Sequence, residues 1–175
     1  MEEQELIQQE KIDEQDKSYQ LKKVHKTAVV VGIAIVASLF MYPVIVEILK
    51  TYNAPFKGFG SLSESDLNII KYVFLGLAIL EYPFVIFITG RILAIKKSFN
   101  RSTEDSSFSS SVQRLFLTSI ISYACFEAIA IMGLVLFLLG GRSVDFYTFL
   151  ALSLIYFVLD FPKYNQWEEY VKNLR

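Results

Sequence analysis

The sequence predicts an all-α polytopic membrane protein: four transmembrane helices in one bundle, followed by a short interfacial C-terminal helix. Three observations carry this expectation. The 175 residues are 53% hydrophobic with a mean hydropathy of +0.40, more apolar than an ordinary soluble domain. Four apolar stretches lie near spanning length, and none alternates polar with apolar residues as a barrel strand would. Lysine and arginine concentrate on alternate connections between those stretches, the charge asymmetry that orients membrane helices.

Residues 1–26 carry seven acids (Glu2, Glu3, Glu5, Glu10, Asp13, Glu14 and Asp16), the opposite of an arginine-rich transit peptide. They are read as a partly helical cytoplasmic tail. The first span covers about 27–49, and it is too long for a signal-peptide core. Pro55, Gly58 and Gly60 interrupt helix in the connection that follows, and Ser63 or Ser65 can cap the next helix. The second span covers about 67–95 and holds Lys71, Glu81 and Arg91. The segment 96–111, rich in serine, is read as a flexible polar linker. The third span runs over about 112–140 with Glu127 its one acid, and the fourth over about 144–161 between Asp145 and Asp160.

Beyond Pro162, residues 163–175 form the expected interfacial helix. Tyr164, Trp167 and Val171 fall at helical spacing on one face, and Tyr164, Trp167 and Tyr170 are the candidate headgroup-level anchors. Lys22, Lys23 and Lys26 precede span one, Lys96, Lys97, Arg101 and Arg114 lie between spans two and three, and Lys163, Lys172 and Arg175 close the chain. Both termini are therefore expected in the cytoplasm, with the chain in a plasma membrane of bacterial type.

Motifs for chemistry are missing. There is no phosphate-binding loop, dinucleotide fingerprint, zinc spacing or serine elbow, and the one histidine, His25, lies in the basic cluster before span one. No catalytic residue, metal ligand or cofactor is assigned, and the expected answer on enzyme activity is no. A net charge of -1 without a basic, aromatic-laced stripe gives no reason to expect nucleic acid. Cys125, the one cysteine, is read as a small packing or membrane-facing residue.

Glu81 and Glu127 are the candidate site. Lys71 and Arg91 each lie ten residues from Glu81, so the cations sit roughly 30 Å apart with the acid midway. Glu127 lies similarly between Arg114 and Arg142. An ionised side chain at the bilayer centre costs about 3 kcal/mol or more, which makes each acid a candidate for proton or ion binding. Because spans two and three are antiparallel neighbours, the acids are expected to converge and share a proton. Tyr123, one turn before Glu127, is a candidate donor to it. Pro43 and Pro83, each in a Tyr-Pro pair, are candidate kinks that free the carbonyls of Leu39 and Ile79.

Residues 125–140, Cys-Phe-Glu-Ala-Ile-Ala-Ile-Met-Gly-Leu-Val-Leu-Phe-Leu-Leu-Gly, resemble the outer helix of the c subunit (proteolipid) of rotary ATP synthases. The resemblance implies that Glu127 binds and releases a transported ion. The family's repeated glycines and Arg-Gln-Pro loop have no counterpart here; Gly76, Gly90 and Lys96-Lys97-Ser98-Phe99-Asn100 stand in those regions.

Two functions fit the sequence. One is a proton- or ion-responsive component of a membrane complex acting through mid-membrane carboxyls. The other is a non-catalytic scaffold or assembly factor. Expected partners are the lipid bilayer and either further copies of the chain or a larger membrane complex, with Ala124, Ala128 and Gly133 offering small-residue surfaces.

Overall fold

A computed structural model describes residues 2–60, 62–94 and 104–172. Among these residues there are six helices and no strand: α1 (Glu2–Leu39), α2 (Met41–Tyr52), α3 (Glu64–Ala94), α4 (Glu104–Gly140), α5 (Ser143–Leu159) and α6 (Tyr164–Lys172).

The acidic N-terminal stretch is helical from Glu2 onward, so α1 runs without interruption from the charged segment into the first apolar stretch. It breaks at Phe40, where Phe40 N donates to the Ala37 carbonyl at 3.2 Å in a tightened turn. Pro43 explains the break. It has no N–H for the Leu39 carbonyl, and its ring crowds that carbonyl. Pro83 acts differently, since α3 remains helical through it.

Ser63 starts α3 by a reciprocal cap. Its Oγ accepts from Asp66 N at 3.2 Å and donates to Asp66 Oδ2 at 2.6 Å, while Glu64 and Asp66 place negative charge at the helix's positive end. The serine-rich segment read as a linker is helical from Glu104 onward, adding two turns to α4; residues 95–103 lie outside the described ones.

α4 is the central helix, packed by α1 and α2 on one side and by α3 and α5 on others. Small residues permit the close approaches. A Cβ on Gly133 would come within 2.6 Å of Phe149 Cβ on α5, and one on Gly32 within 2.8 Å of the Tyr123 ring. Ser153 of α5 donates to the Phe126 carbonyl of α4 at 2.6 Å in a buried interhelical bond. Gly133 is thus filled from within the chain, so it is not free for the partner helix expected of it.

The connection 53–63 closes one end of the bundle. Phe59 N and Gly60 N donate to the carbonyls of Leu138 and Leu139 at 2.7 and 3.1 Å, satisfying groups that the end of α4 leaves without intrahelical partners. Gly58, at φ 87°, lies so close to Leu139 that a Cβ would meet its carbonyl oxygen at 2.3 Å. Glycine is required there for both conformation and space.

Three helical segments among the described residues are long and apolar enough to cross a membrane: α1 with α2, α3, and α4. Their outer faces are strongly apolar, with Ile33, Ile69, Leu80 and Phe84 all more than half exposed. Such a continuous apolar exterior belongs against lipid or another helix. The fourth expected span, α5, has 17 residues and a length of about 26 Å, somewhat under the roughly 30 Å of hydrocarbon core. It continues into α6 after a bend of 48°.

α6 departs from the expected interfacial anchor. Trp167 and Val171 are buried against Leu21 and Ala28 of α1 and Val112 and Leu115 of α4. Tyr170 donates to the Leu93 carbonyl at 3.0 Å, and Tyr164 meets the His25 ring edge-on at 5.4 Å. The aromatic face thus turns inward because α1 and α4 offer it apolar surface at the same end of the bundle.

Candidate functional site

The two acids singled out by sequence occupy separate environments. Glu127 on α4 faces the α1–α2 break. Its Oε1 accepts from the Ser38 hydroxyl at 3.1 Å and from the Tyr42 hydroxyl at 3.0 Å. Ser38 is the last but one residue of α1, and Tyr42 is the second of α2, so the carboxyl is gripped from both sides of the discontinuity. Ser38 also donates to the Ile35 carbonyl at 2.7 Å, so its one proton is shared between two acceptors.

Glu81 on α3 lies half-buried toward Cys125 of α4, whose thiol is its hydrogen-bond partner. Its Oε2 is buried and without a partner among the described residues. Cys125 and Glu127 are two residues apart on one helix, which turns them about 200° from each other around its axis. Glu81 and Glu127 therefore address opposite faces of α4, and the shared-proton pair expected from their depth is not formed. Position along a span does not specify direction around its axis.

Tyr123 does not serve as the donor to Glu127. Its ring is 1% exposed, stacks on Phe157 at 5.7 Å and presses on Gly32, and its hydroxyl has no hydrogen-bond partner among the described residues. The donors are Ser38 and Tyr42. One signal in the sequence pointed to the second: Tyr42 precedes the proline that breaks the first span, so it sits where a side chain can leave the regular helical surface. Nothing comparable marked Ser38.

A second polar cluster closes the end of the bundle near residues 53–71. Asp145, at the start of α5, is 4% exposed and forms ion pairs with Lys71 Nζ at 2.6 Å and Arg142 Nε at 3.0 Å. The contact with Arg142 is off-line for a hydrogen bond, because Asp145 Oδ2 is left without one. Arg142 in turn donates to Asn68 Oδ1 at 2.6 Å. Lys71, Arg142 and Asp145 were read only as flanks of spans, yet they tie α3 to α5. At the other end, Asp160 hydrogen-bonds Ser122 of α4, while His25 Nε2 lies 3.2 Å from the Pro162 carbonyl.

Among the described residues no group of three or more histidine, cysteine, aspartate or glutamate side chains could hold a metal ion. Comparison of the chain with family models, curated proteins and solved structures finds no match. The chemistry must be read from the residues themselves. Glu127 offers one carboxyl and two hydroxyls, which suits a proton better than a hard cation wanting about six oxygen ligands.

Proposed function

We propose that the chain is a four-span integral membrane protein with both termini cytoplasmic, and that it acts as a proton-responsive component of a membrane complex with Glu127 as the protonation site. The observation that carries this reading is the grip of Ser38 and Tyr42 on one oxygen of Glu127 across the α1–α2 break. An ionised carboxylate accepts both hydroxyl protons in charge-assisted bonds, and protonation on Oε2 leaves Oε1 a neutral, weaker acceptor of the same two. Since the two hydroxyls stand on two helices, that weakening loosens the hold of Glu127 on both sides of the break. Discontinuous helices at mid-membrane are a recurrent setting for ion and proton sites. The likeness to the c subunit enters only through the role it implies for Glu127.

The fourth span is supported by where α5 begins and ends. Asp145 meets Lys71 at the end where α4 finishes, and Pro162, three residues after α5, meets His25 at the end where α4 starts. A slight thinning of the bilayer accommodates its 17 residues. Cysteines introduced at Asn53, Gln8 and Gln166 in a Cys125→Ala background separate the topologies. Impermeant reagent on intact cells labels only Asn53 if there are four spans, and labelling of Gln166 reduces the count to three.

The protonation reading is tested by infrared spectroscopy of the protein in lipid nanodiscs as the pH is stepped between about 4 and 9. A protonated-carboxyl band that titrates in the native chain and disappears in Glu127→Gln supports it. A band unchanged by that substitution overturns it. The scaffold reading draws on α3, whose outward face exposes Ile69, Val73, Leu80 and Phe84 and leaves Gly76 and Gly90 with open space around them. Under that reading Glu127→Gln retains whatever companion the native chain carries through mild detergent extraction, and the carboxyl band does not titrate.

A further inference from the structure

We infer that the groove between α1 and α4 at the end bearing α6 is a binding site for one anionic glycerophospholipid. The groove encloses about 390 Å³ and is lined by Gln20, Lys23, Val24 and Thr27 of α1 and by Ser109, Val112, Gln113 and Phe116 of α4. Each helix contributes positions i, i+3, i+4 and i+7, so one continuous stripe of each faces the cleft. On α1 the lining passes from Gln20 and Lys23 to Val24, and on α4 from Ser109 to Val112 and Phe116 with Gln113 between them, toward the apolar segments that begin near 27 and 112. Thr27 adds a methyl group to the deeper part, because its hydroxyl is already given to the Lys23 carbonyl at 3.0 Å.

That order matches a phospholipid, with phosphate at the end of Lys23 and Ser109 and acyl chains along the valines and Phe116. The charge matches too. Lys23 is exposed and has no ion pair among the described residues, and Lys22 and Lys26 beside it likewise have none. Ser109 and the amides of Gln20 and Gln113 supply neutral donors for phosphate oxygens, as basic pockets between membrane helices do for anionic headgroups. The site lies at least 11 residues of α4 from Glu127, counted from Phe116, so it stands or falls independently of the protonation reading.

Native mass spectrometry of the full chain, released from mixed micelles of phosphatidylglycerol and phosphatidylcholine, tests the site. One retained phosphatidylglycerol per chain is expected, with phosphatidylcholine retained far less. Lys23→Gln should lower that retention more than about tenfold, as expected for loss of a charge-assisted hydrogen bond. Lys22→Gln, which removes the same charge off the groove, should lower it about fivefold or less, the effect of general surface attraction. Ser109→Trp, which fills that end of the groove and keeps every lysine, should also abolish retention. Equal losses for Lys23→Gln and Lys22→Gln overturn the site in favour of diffuse attraction. Undiminished binding to Ser109→Trp, or equal retention of the two lipids, overturns it as well.

Discussion

The Tyr42 hydroxyl donates to Glu127 Oε1 at 3.0 Å, joining the first turn of α2 to the middle of α4 directly beside the break that Pro43 imposes. Ser38 reaches the same oxygen from the last turn of α1. Removing the hydroxyl by Tyr42→Phe should destabilise the chain by about 1–2 kcal/mol, and Ser38→Ala by less, because Ser38 divides its proton with the Ile35 carbonyl. In a double-mutant cycle the two should couple by about 0.5 kcal/mol or more, since each compensates in part for the other's loss. Reversible unfolding in lipid-detergent mixtures measures both. Strict additivity would show that the hydroxyls do not act on one carboxyl.

The glycines of α3 and α4 should respond in opposite directions. Gly133→Ala places a methyl group 2.6 Å from Phe149 Cβ and should cost about 1–3 kcal/mol by overpacking. Gly76 has open space where a Cβ would be, so Gly76→Ala should stabilise α3 by up to about 1 kcal/mol through helix propensity. Thermal melts of the two variants in one detergent make the comparison. A destabilised Gly76→Ala protein would mean that another chain already occupies the space beside it.

Asp145 is buried between Lys71 and Arg142, while those two cations keep part of their surface in contact with the surroundings. Loss of its charge in Asp145→Asn should cost about 2 kcal/mol, below the roughly 3–5 kcal/mol of a fully buried pair because Lys71 can reach solvent. Adding Lys71→Met to Asp145→Leu should recover part of the loss by replacing ions with packing. Chemical denaturation of the three proteins decides it; a double variant no more stable than Asp145→Asn would mean that Arg142 dominates the cluster.

Trp167 is the one tryptophan of the chain, so its fluorescence reports the seating of α6. It is 4% exposed, and its ring meets the His25 imidazole edge-on at 5.1 Å. Tyr170→Phe removes the bond to the Leu93 carbonyl, and His25→Ala removes the aromatic contact and the contact with Pro162. Each should move the emission to longer wavelength as α6 loosens, His25→Ala by more. Emission unchanged in both variants would place the hold on α6 in Val171 and its apolar neighbours alone.

Composition and hydropathy were sufficient to read an all-helical chain with spanning-length segments, because removal of apolar side chains and backbone from water leaves the helix as the economical solution in lipid. They also placed Glu81 and Glu127 within apolar helices, left the cap of α3 between Ser63 and Ser65, and marked Pro43 and Pro83 alike as kinks, of which only Pro43 lies at a break. Those are properties of a segment and its neighbours in sequence. The direction of each side chain around its helix was not legible, because every face of α3 and α4 is apolar and no polar stripe fixes rotation. Packing decided it: Gly32 and Gly133 let α1 and α5 close on α4, and that rotation sends Glu127 to Ser38 and Tyr42 while Cys125 meets Glu81. The same holds for α6, whose aromatic face is equally suited to headgroups or to protein until α1 and α4 present Leu21, Ala28, Val112 and Leu115 at the matching level. Sequence alone determined which residues lie in apolar helices; only the tertiary structure decided which of them meet, because contact depends on helix rotation and separation, and these are set by side chains far apart in the chain.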